Sequence, residues 1–480
     1  MAAPTDSAMD VSSFFSGLLN EKLCPNHLNV LKSFTSMLRR QEYREEVEKD
    51  VFCSLWGLLS RLREELEASG GGEEEGDDLN LQLIAECFRA QRNACVQSPR
   101  NQALLRELSF INESLKVISL LQRLHLQCRA AALDPLRCGV QFLGNMAVGN
   151  QLCKDILWRL SFPHLMLDLL SGEDEKVVSY ASMVLHTCLD EEKVEELAKP
   201  DNIPLALRVM ELCRTHPDLD WTVLIATQHF LKSSALVASM YSGISHLERM
   251  TLLELLAAQL GEGGGEDSGI PGGVAAHLAS SFQTGCGAVL ALASGSADGD
   301  EEALTVISLL DVLCEMTSDL EQFMFLQDHA GLLQATVGLL QEVHALGKAS
   351  KNVFSSSQNF SSFSSSGGGD PSSPSVSFKA HLIRLIGNLC HRHPCNQNQV
   401  RELDGIPLIL DNCSIDSNNP FISQWAIFAI RNILEHNHEN QALVAAMDRR
   451  GNADYSALSE LGLDVEKRDG GLLLKPTKKH

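Results

Sequence analysis

Hydrophobic positions recur with a helical period through most of the chain, and short polar turns separate the periodic stretches. A spacing of three to four residues places apolar side chains on one face of an α-helix. Near the C-terminus the pattern predicts three successive helices within about 40 residues. They are a short helix opened by Asn396, a buried helix over Ile406–Cys413 after a break at Gly405, and a helix through Phe421–Ile433 with Pro420 in its first turn.

The same order of helices can be followed upstream. The predicted helices span 101–108, 113–124 and 135–146, then 151–160, 163–170 and 176–189. Later, 301–317 is predicted as a third helix, and 320–326 and 331–343 as the first and second helices of the next unit. The last of these units resumes its third helix only at Phe378, and the chain between Leu219 and Leu290 is helical but fits the repeat poorly. A repeated three-helix unit predicts an all-α solenoid.

A short phrase closes the third helix of four units, with an asparagine four positions after a variable residue. The pairs are Arg89 and Asn93, Gln141 and Asn145, Arg384 and Asn388, and Phe428 and Asn432. An Asn-Gln pair then follows, beginning at Asn101, Asn150, Asn396 and Asn440. Two middle units have Thr187 and Glu315 in place of the asparagine.

Two roles are open for the phrase. In a scaffolding role, the asparagine amide pairs with carbonyls at the helix end or adopts the left-handed conformation that ends helices. The Asn-Gln pair would then cap the next helix, and small residues such as Gly139, Gly144 and Gly387 would let helices approach closely.

In a recognition role, residues four apart share a helix face, so the eight residues of the four pairs would line one groove and bind a partner peptide. Burial of Asn388 and Asn432 would argue against this second role.

The charge and composition narrow the class of partner. The net charge is −23 and the pI is near 5.1. An acidic surface disfavours nucleic acid, and the chain has no apolar run long enough to insert in a membrane. Fourteen cysteines form no dense framework and no signal peptide precedes them, which predicts reduced, mostly buried thiols in a cytosolic protein.

The sequence shows no catalytic constellation, and we predict no catalytic residue, metal or cofactor. Phosphate-binding loops and the common hydrolase motifs are absent. The loop Cys390–Cys395 has two histidines between two cysteines, but no CxxC pair, so loop residues are favoured over zinc ligands. The alternative left open is an enzyme with an unrecognised pocket, or a metal-dependent regulator that uses this loop.

Composition shifts suggest the domain boundaries. We predict an N-terminal helical region over 1–79, N-terminal repeats over 80–260, an acidic Gly-rich loop over 261–273, central helical repeats over 274–345, a Ser/Gly-rich disordered insertion over 346–376, and C-terminal repeats with a tail over 377–480. Within the tail, Val465–Lys475 has a turn signal between two short runs, so a small hairpin or a frayed end is expected.

The phrase, the glycine break and the buried second helix resemble armadillo repeats, most strongly over 396–443. Importins of the armadillo type have a tryptophan four residues before the asparagine. The corresponding residues here are Arg89, Gln141, Arg384 and Phe428, so binding of nuclear-localisation signals is not expected.

Five longer blocks resemble the ataxin-10 family, and the resemblance spans roughly 80–475. The blocks are 86–95, 137–145, 308–317, 381–390 and 402–413. The resemblance implies a non-enzymatic adaptor that self-associates and acts in cytokinesis, neuronal survival, neurite growth and cilium or centrosome biology. It implies O-linked N-acetylglucosamine transferase and a G-protein β subunit as partners. It also implies a cytoplasmic, perinuclear location, with the midbody, centrosome or cilium base as further sites.

Overall fold

The computed structural model describes residues 21–68, 77–127, 129–262, 269–294, 300–319, 321–356, 376–414, 416, 418–449, 463–468 and 471–476. The chain forms two compact units that divide between His229 and Phe230. The domain boundaries read from composition stay predictions. None of the helices formed by these residues combines the length and apolar character needed to cross a membrane.

The first unit is helical throughout its described residues. Its helices are α1 (Pro25–Met37), α2 (Gln41–Glu46), α3 (Lys49–Ala68), α4 (Asp77–Cys95), α5 (Pro99–Glu107), α6 (Phe110–Leu126), α7 (Leu133–Ala147), α8 (Gln151–Ser161), α9 (His164–Leu170), α10 (Glu175–Cys188), α11 (Glu191–Leu197), α12 (Ile203–Thr215) and α13 (Asp220–Gln228). A 3₁₀ turn, Ala130–Ala132, leads into α7.

The third helices of the first unit form one row. Helices α1, α4, α7, α10 and α13 pack side by side in chain order. The second helices pack behind them, α3 against α6 and α9 against α12. The inner members of the row, α4, α7 and α10, therefore contact the third helices of both neighbouring repeats, which is the arrangement expected of a solenoid.

The second unit continues the helical pattern and ends in a hairpin. Its elements are α14 (Ser234–Gly243), α15 (His246–Glu262), α16 (Gly272–Gly285), α17 (Asp300–Met316), α18 (Leu332–Ala349), α19 (Phe378–Cys390), α20 (Pro394–Glu402), α21 (Gly405–Asp411), α22 (Ile422–Leu434), α23 (His438–Arg449), β1 (Leu463–Arg468) and β2 (Gly471–Pro476). The 3₁₀ turns are Phe230–Lys232, Cys286–Ser294 and Met324–Asp328.

In this unit α15, α17, α19 and α22 pack side by side, while α16 packs against α14 and α18. The predicted hairpin is confirmed, because β1 and β2 pair antiparallel from Leu463 opposite Pro476 to Arg468 opposite Gly471. The prediction of an all-α solenoid with a small C-terminal hairpin is confirmed. The assignment of its repeats to the armadillo type stays a prediction.

Helix α22 shows why the hydrophobic period was informative. Its buried residues include Ile422, Ala426, Ala429 and Ile433, which lie along one stripe at helical spacing. Side-chain oxygens at the preceding residue start several other helices by accepting a bond from a backbone N–H. These caps are Ser98 for α5, Asn150 for α8, Asp174 for α10, Asp190 for α11 and Ser233 for α14.

Three local predictions were wrong. Gly405 is not the break before α21, because it is the first helical residue, and Asp404 before it has the left-handed backbone (φ 54°). Pro420 is outside α22, which begins at Ile422 after a left-handed Phe421. The helix expected over 320–326 is only the 3₁₀ turn Met324–Asp328. Pattern marks buried positions well, whereas turn geometry depends on the hydrogen bonds formed around it.

The second helix near the C-terminus is also less enclosed than expected. It ends at Asp411 and leaves Leu408 and Leu410 only half-buried. Much of the predicted Ser/Gly-rich insertion, at 357–375, lies outside the described residues. The same is true of 263–268 in the predicted acidic loop and of 69–76 in the predicted N-terminal helical region.

Candidate functional site

The four phrase asparagines lie in the last turn of α4, α7, α19 and α22. Each side-chain amide donates to a backbone carbonyl of the preceding helix in the row of third helices. The donor–acceptor distances from Nδ2 are 3.1 Å from Asn93 to Thr35, 3.0 Å from Asn145 to Arg92, 3.3 Å from Asn388 to Cys314 and 2.9 Å from Asn432 to Gly387. The amides therefore tie each repeat to the one before it.

The asparagine of the Asn-Gln pair performs a second linkage. In three copies it is the third residue of its helix, so the prediction that it caps the helix was wrong there. Its Nδ2 donates both to the helix before it and to the previous repeat. The acceptors are Ala94 and Arg44 for Asn101, Leu389 and Gln327 for Asn396, and Ile433 and Gln397 for Asn440.

Asn150 is the copy for which the capping prediction was right. Its gap from the phrase is shorter, and this places it directly before α8. Its side-chain oxygen accepts a bond from the N–H of Cys153 at 3.1 Å. The shortened gap therefore converts an interior linking residue into a cap.

The glutamine of two pairs, and Gln327 at the corresponding place in another repeat, reaches forward to the next repeat. Its Nε2 donates to the carbonyl of the next phrase asparagine and to the carbonyl three residues later. The acceptors are Asn145 and Val148 for Gln102, Asn432 and Glu435 for Gln397, and Asn388 and His391 for Gln327. These carbonyls lie in the last turn of a third helix or at the residue that caps it, where helices leave carbonyls without intrahelical partners, so the glutamine adds a bond to the helix end.

Gln327 was missed by the sequence reasoning. It follows Leu326 and not an asparagine, so no Asn-Gln pair marks it. The sequence could have pointed to Gln327 only through its position, because it lies in the turn Met324–Asp328 that replaces a first helix in the repeat before Asn388.

The backbone after the phrase repeats as well. The prediction that the asparagine itself takes the left-handed conformation was wrong. The residue four positions later takes it in every copy, with φ of 52° at Gln97, 70° at Gly149, 49° at Arg392 and 56° at His436. Three of these four residues are not glycine, so sequence alone did not reveal the turn.

The glycines of the third helices have the predicted packing role. A Cβ on Gly387 would lie 2.9 Å from the Phe428 ring and 3.0 Å from the Cα of Ala429. A Cβ on Gly139 would lie 2.9 Å from Ile118 Cγ1. Neighbouring helices approach too closely there for a side chain, which confirms the prediction for these positions.

The residues four positions before the asparagines make contacts of their own. Arg89 forms ion pairs with Asp134 at 2.7 Å and Glu86 at 3.0 Å. Gln141 accepts a hydrogen bond from Arg92. The Arg89–Glu86 pair lies within α4, whereas the contacts of Arg89 with Asp134 and of Gln141 with Arg92 join α4 to α7, as those of the asparagines join neighbouring third helices.

Arg384 forms an ion pair with Glu315 at 2.8 Å, and its guanidinium lies 4.8 Å from the centre of the Trp425 ring. The Phe428 ring packs edge-on against Trp425, with the ring centres 5.8 Å apart. Glu315, Arg384, Trp425 and Phe428 thus form a continuous line of side-chain contacts across α17, α19 and α22.

Partner binding by the eight paired residues stays a prediction. Asn388 and Asn432 are only 6% and 4% exposed, and their amide donors are engaged within the fold. Asn93 and Asn145 are half-buried. The geometry favours the scaffolding role for the asparagines over direct contact with a partner.

The Cys390–Cys395 loop does not converge on a metal. Cys390 faces the core, and burial raises its pKa. His393 Nδ1 accepts from the N–H of Asn396 at 3.2 Å, and Nε2 lies 3.0 Å from Asp328. In the part of the chain that the structure describes, no group of three histidine, cysteine or acidic residues is placed to bind a metal ion.

Burial also makes most of the cysteine thiols poor nucleophiles. Nine of the thirteen described cysteines are buried, as predicted. Burial raises the pKa of Cys138 and Cys153 to about 11, and that of Cys188 and Cys413 to about 12. A thiol that stays protonated is a poor nucleophile.

One pocket lies between the turns that follow two phrases. It has a volume of about 340 Å³ and is lined by Cys95, Val96, Gln97, Ser98, Pro99, Gln102, Asn145, Val148 and Gly149. Val96 is 40% exposed and Val148 57%, and Leu152 in the first turn of α8 is 59% exposed. The lining contains no carboxylate, imidazole or amine, so the pocket suits an apolar side chain better than a reacting substrate.

Comparisons with known proteins identify the family. Residues 378–475 match the model of the spinocerebellar ataxia type 10 protein domain. Ataxin-10 of Xenopus tropicalis is 45% identical over 93% of this chain and 91% of its own length. Ataxin-10 of Macaca fascicularis is 41% identical over 94% of both chains.

Among solved structures, a crystal structure of an engineered protein aligns over 94% of both chains at 12% identity, with a TM-score of 0.37 that is too low to carry an argument. High identity to the ataxin-10 proteins over nearly the full length is decisive, and the chain belongs to the ataxin-10 family.

Proposed function

We propose that the chain is a non-enzymatic scaffold that binds other proteins. The observation that carries the proposal is the apolar pocket between the turns after α4 and α7, with exposed Val96 and Val148 beside it. An apolar side chain of a partner would bury surface there that is now in water, and such anchors supply much of the affinity at protein interfaces.

The surrounding structure supports binding over catalysis. The polar groups that recur along the rows of third helices are asparagine amides, which do not serve as acids or bases at neutral pH, and they are occupied in linking repeats. The net charge of −23 would favour partners with a basic surface around the apolar contact.

Specific partners and cellular roles are part of the proposal. By family resemblance we propose O-linked N-acetylglucosamine transferase and a G-protein β subunit as partners, and self-association into a homo-oligomer. We propose roles in cytokinesis, neuronal survival, neurite growth and cilium or centrosome biology. The proposed location is cytoplasmic and perinuclear, with the midbody, centrosome or cilium base during those roles.

A binding experiment tests the pocket. Purified Val96→Asp/Val148→Asp protein is compared with wild type for binding to each proposed partner by biolayer interferometry. Loss of one or two apolar anchors should weaken binding roughly 10- to 100-fold. Leu126→Asp is the matched control, because Leu126 is 75% exposed at the end of α6 and outside the pocket.

The outcomes separate the pocket from the partners. Equal binding by wild type and the double variant would exclude this pocket as the contact. A wild-type protein that binds neither partner would remove those two names from the proposal. Loss of binding only in an Arg384→Ala/Asn388→Ala/Asn432→Ala variant of unchanged melting temperature would transfer the contact to the phrase residues.

A further inference from the structure

Three side chains at the start of α1 form a connected group. The Cys24 sulfur lies 3.5 Å from Nδ1 of His27, and Nε2 of the same ring lies 3.3 Å from a carboxylate oxygen of Glu21. A thiol, an imidazole and a carboxylate in this order are the arrangement that activates a nucleophile through an adjacent base, with a third group orienting the base.

The hydrogen bonds assign the tautomer of His27. The backbone N–H of Cys24 donates to Nδ1 at 3.1 Å, so Nδ1 has the lone pair and Nε2 bears the proton that faces Glu21. Nδ1 is also the ring atom next to the sulfur, so it can take the thiol proton when its bond from the Cys24 N–H is released. The imidazole is held in place because His27 is only 8% exposed, and Arg61 donates to the Glu21 carbonyl at 3.0 Å.

Helix capping accounts for only part of this group. His27 is the third residue of α1 and bonds back to the N–H of the preceding cap residue, which is a capping-box contact. The contact between the imidazole and the sulfur, and the contact between the imidazole and Glu21, are additional to it.

Cys24 differs from the other described cysteines. Nine are buried, Cys286 is half-buried, and Cys53 and Cys395 are exposed; the last three have no imidazole at hydrogen-bonding distance among the contacts between described residues. Cys24 is half-buried and directly precedes α1, a helix of 13 residues.

We propose that Cys24 is a site of oxidation by hydrogen peroxide, with His27 as its base and Glu21 as the positioning residue. The thiol proton moves to Nδ1, and the thiolate attacks one peroxide oxygen. A sulfur–oxygen bond forms and the oxygen–oxygen bond breaks. The sulfur is oxidised to a sulfenic acid, and the departing hydroxide takes the proton from the His27 imidazolium to give water.

The test compares cysteines within the same molecule. Full-length protein is treated with hydrogen peroxide at pH 7, sulfenic acid is trapped with dimedone, and each cysteine peptide is quantified by mass spectrometry over time. A free thiol is only a few per cent thiolate at pH 7, so full proton transfer gives a rate up to roughly thirtyfold higher. We expect Cys24 to be labelled at least about tenfold faster than Cys53 and Cys395.

Two variants tie the rate to the proposed residues. His27→Gln should lower the Cys24 rate to that of Cys53, and Glu21→Gln should lower it severalfold while leaving Cys53 unchanged. Buried Cys87 reports unfolding, because it becomes labelled only if the variant loses its fold. If His27→Gln unfolds, Glu21→Gln still tests the proposal, because the Glu21 side chain is 64% exposed and its replacement should not disturb the fold.

Equal labelling of Cys24 and Cys53 in the wild type would overturn the proposal. So would a fast Cys24 whose rate is the same in both variants.

Discussion

Gly387 and Gly144 occupy the same place in the phrase, directly before Asn388 and Asn145, yet their surroundings predict opposite responses to alanine. Helix propensity favours alanine over glycine by about 1 kcal/mol at both sites. At Gly387 the new Cβ would lie 3.0 Å from the Cα of Ala429, which is backbone and cannot turn away. Overpacking of this kind typically costs about 1–3 kcal/mol.

The separation of α19 and α22 would also stretch the 2.9 Å bond from Asn432 to the Gly387 carbonyl, a loss of about 1 kcal/mol. Gly387→Ala should therefore destabilise by roughly 1–3 kcal/mol after the helix-propensity gain is subtracted.

At Gly144 the near atom is the terminal methyl of Met183 at 2.5 Å, and the next is Val184 Cγ2 at an ordinary 3.6 Å. A methionine side chain can change rotamer, so Gly144→Ala should be neutral or stabilising by up to about 1 kcal/mol.

Thermal unfolding followed by circular dichroism measures the contrast. For a unit of this size, 1 kcal/mol corresponds to roughly 2–4 °C in Tm. We expect Gly387→Ala to lower Tm by several degrees and Gly144→Ala to leave it equal or higher. Equal shifts for the two variants would refute the argument that backbone proximity, and not glycine content, governs these sites.

Three further predictions concern the turns, the core and the insertion. Arg392→Gly and His436→Gly should each raise the free energy of unfolding by about 0.5–1 kcal/mol, because both residues have the left-handed backbone that glycine adopts without strain. Gly149→Ala should lower the free energy of unfolding for the same reason, and thermal melts that rank these variants otherwise would contradict the strain argument. Gln91→Leu should stabilise the protein by about 1–2 kcal/mol in urea unfolding, because neither polar atom of this fully buried amide has a hydrogen-bond partner among the described residues. A loss of stability would show that the amide forms hydrogen bonds in solution. Replacing 357–375 with a short Gly-Ser linker should leave Tm within about 2 °C, because Asn418 holds the residues on both sides of that segment: its carbonyl accepts from Ser377 N–H at 3.0 Å and its amide donates to the Ser355 carbonyl at 2.7 Å. Asn418→Ala should lower Tm, and a large loss of Tm in the linker variant would contradict the prediction.

Sequence predicted the helices well because hydrophobic period reports burial directly. The helix expected over 301–317 runs from Asp300 to Met316, and that expected over 151–160 from Gln151 to Ser161. The helix expected over 320–326 was wrong because a few apolar residues are equally compatible with a 3₁₀ turn.

The role of the phrase was only half accessible from sequence. Its recurrence identified Asn93, Asn145, Asn388 and Asn432, but not the acceptors of their bonds. Those acceptors lie 45 to 74 residues away in the chain, in a helix of the previous repeat. No local pattern specifies a contact at that separation, and the residue four positions later revealed its backbone only in the structure.

The paired use of asparagine and glutamine gives the repeats a direction. A first helix such as α20 binds the repeat before it through Asn396 and the repeat after it through Gln397. A fragment that ends between two such repeats exposes helix-end carbonyls on one cut face, and on the other it exposes asparagine or glutamine amides that have lost their acceptors. Thr187, in contrast, bonds within its own helix to Met183. The amide link back to the previous repeat is accordingly missing between α10 and α7, and reordered repeats would join well only where asparagine and glutamine meet their matching carbonyls.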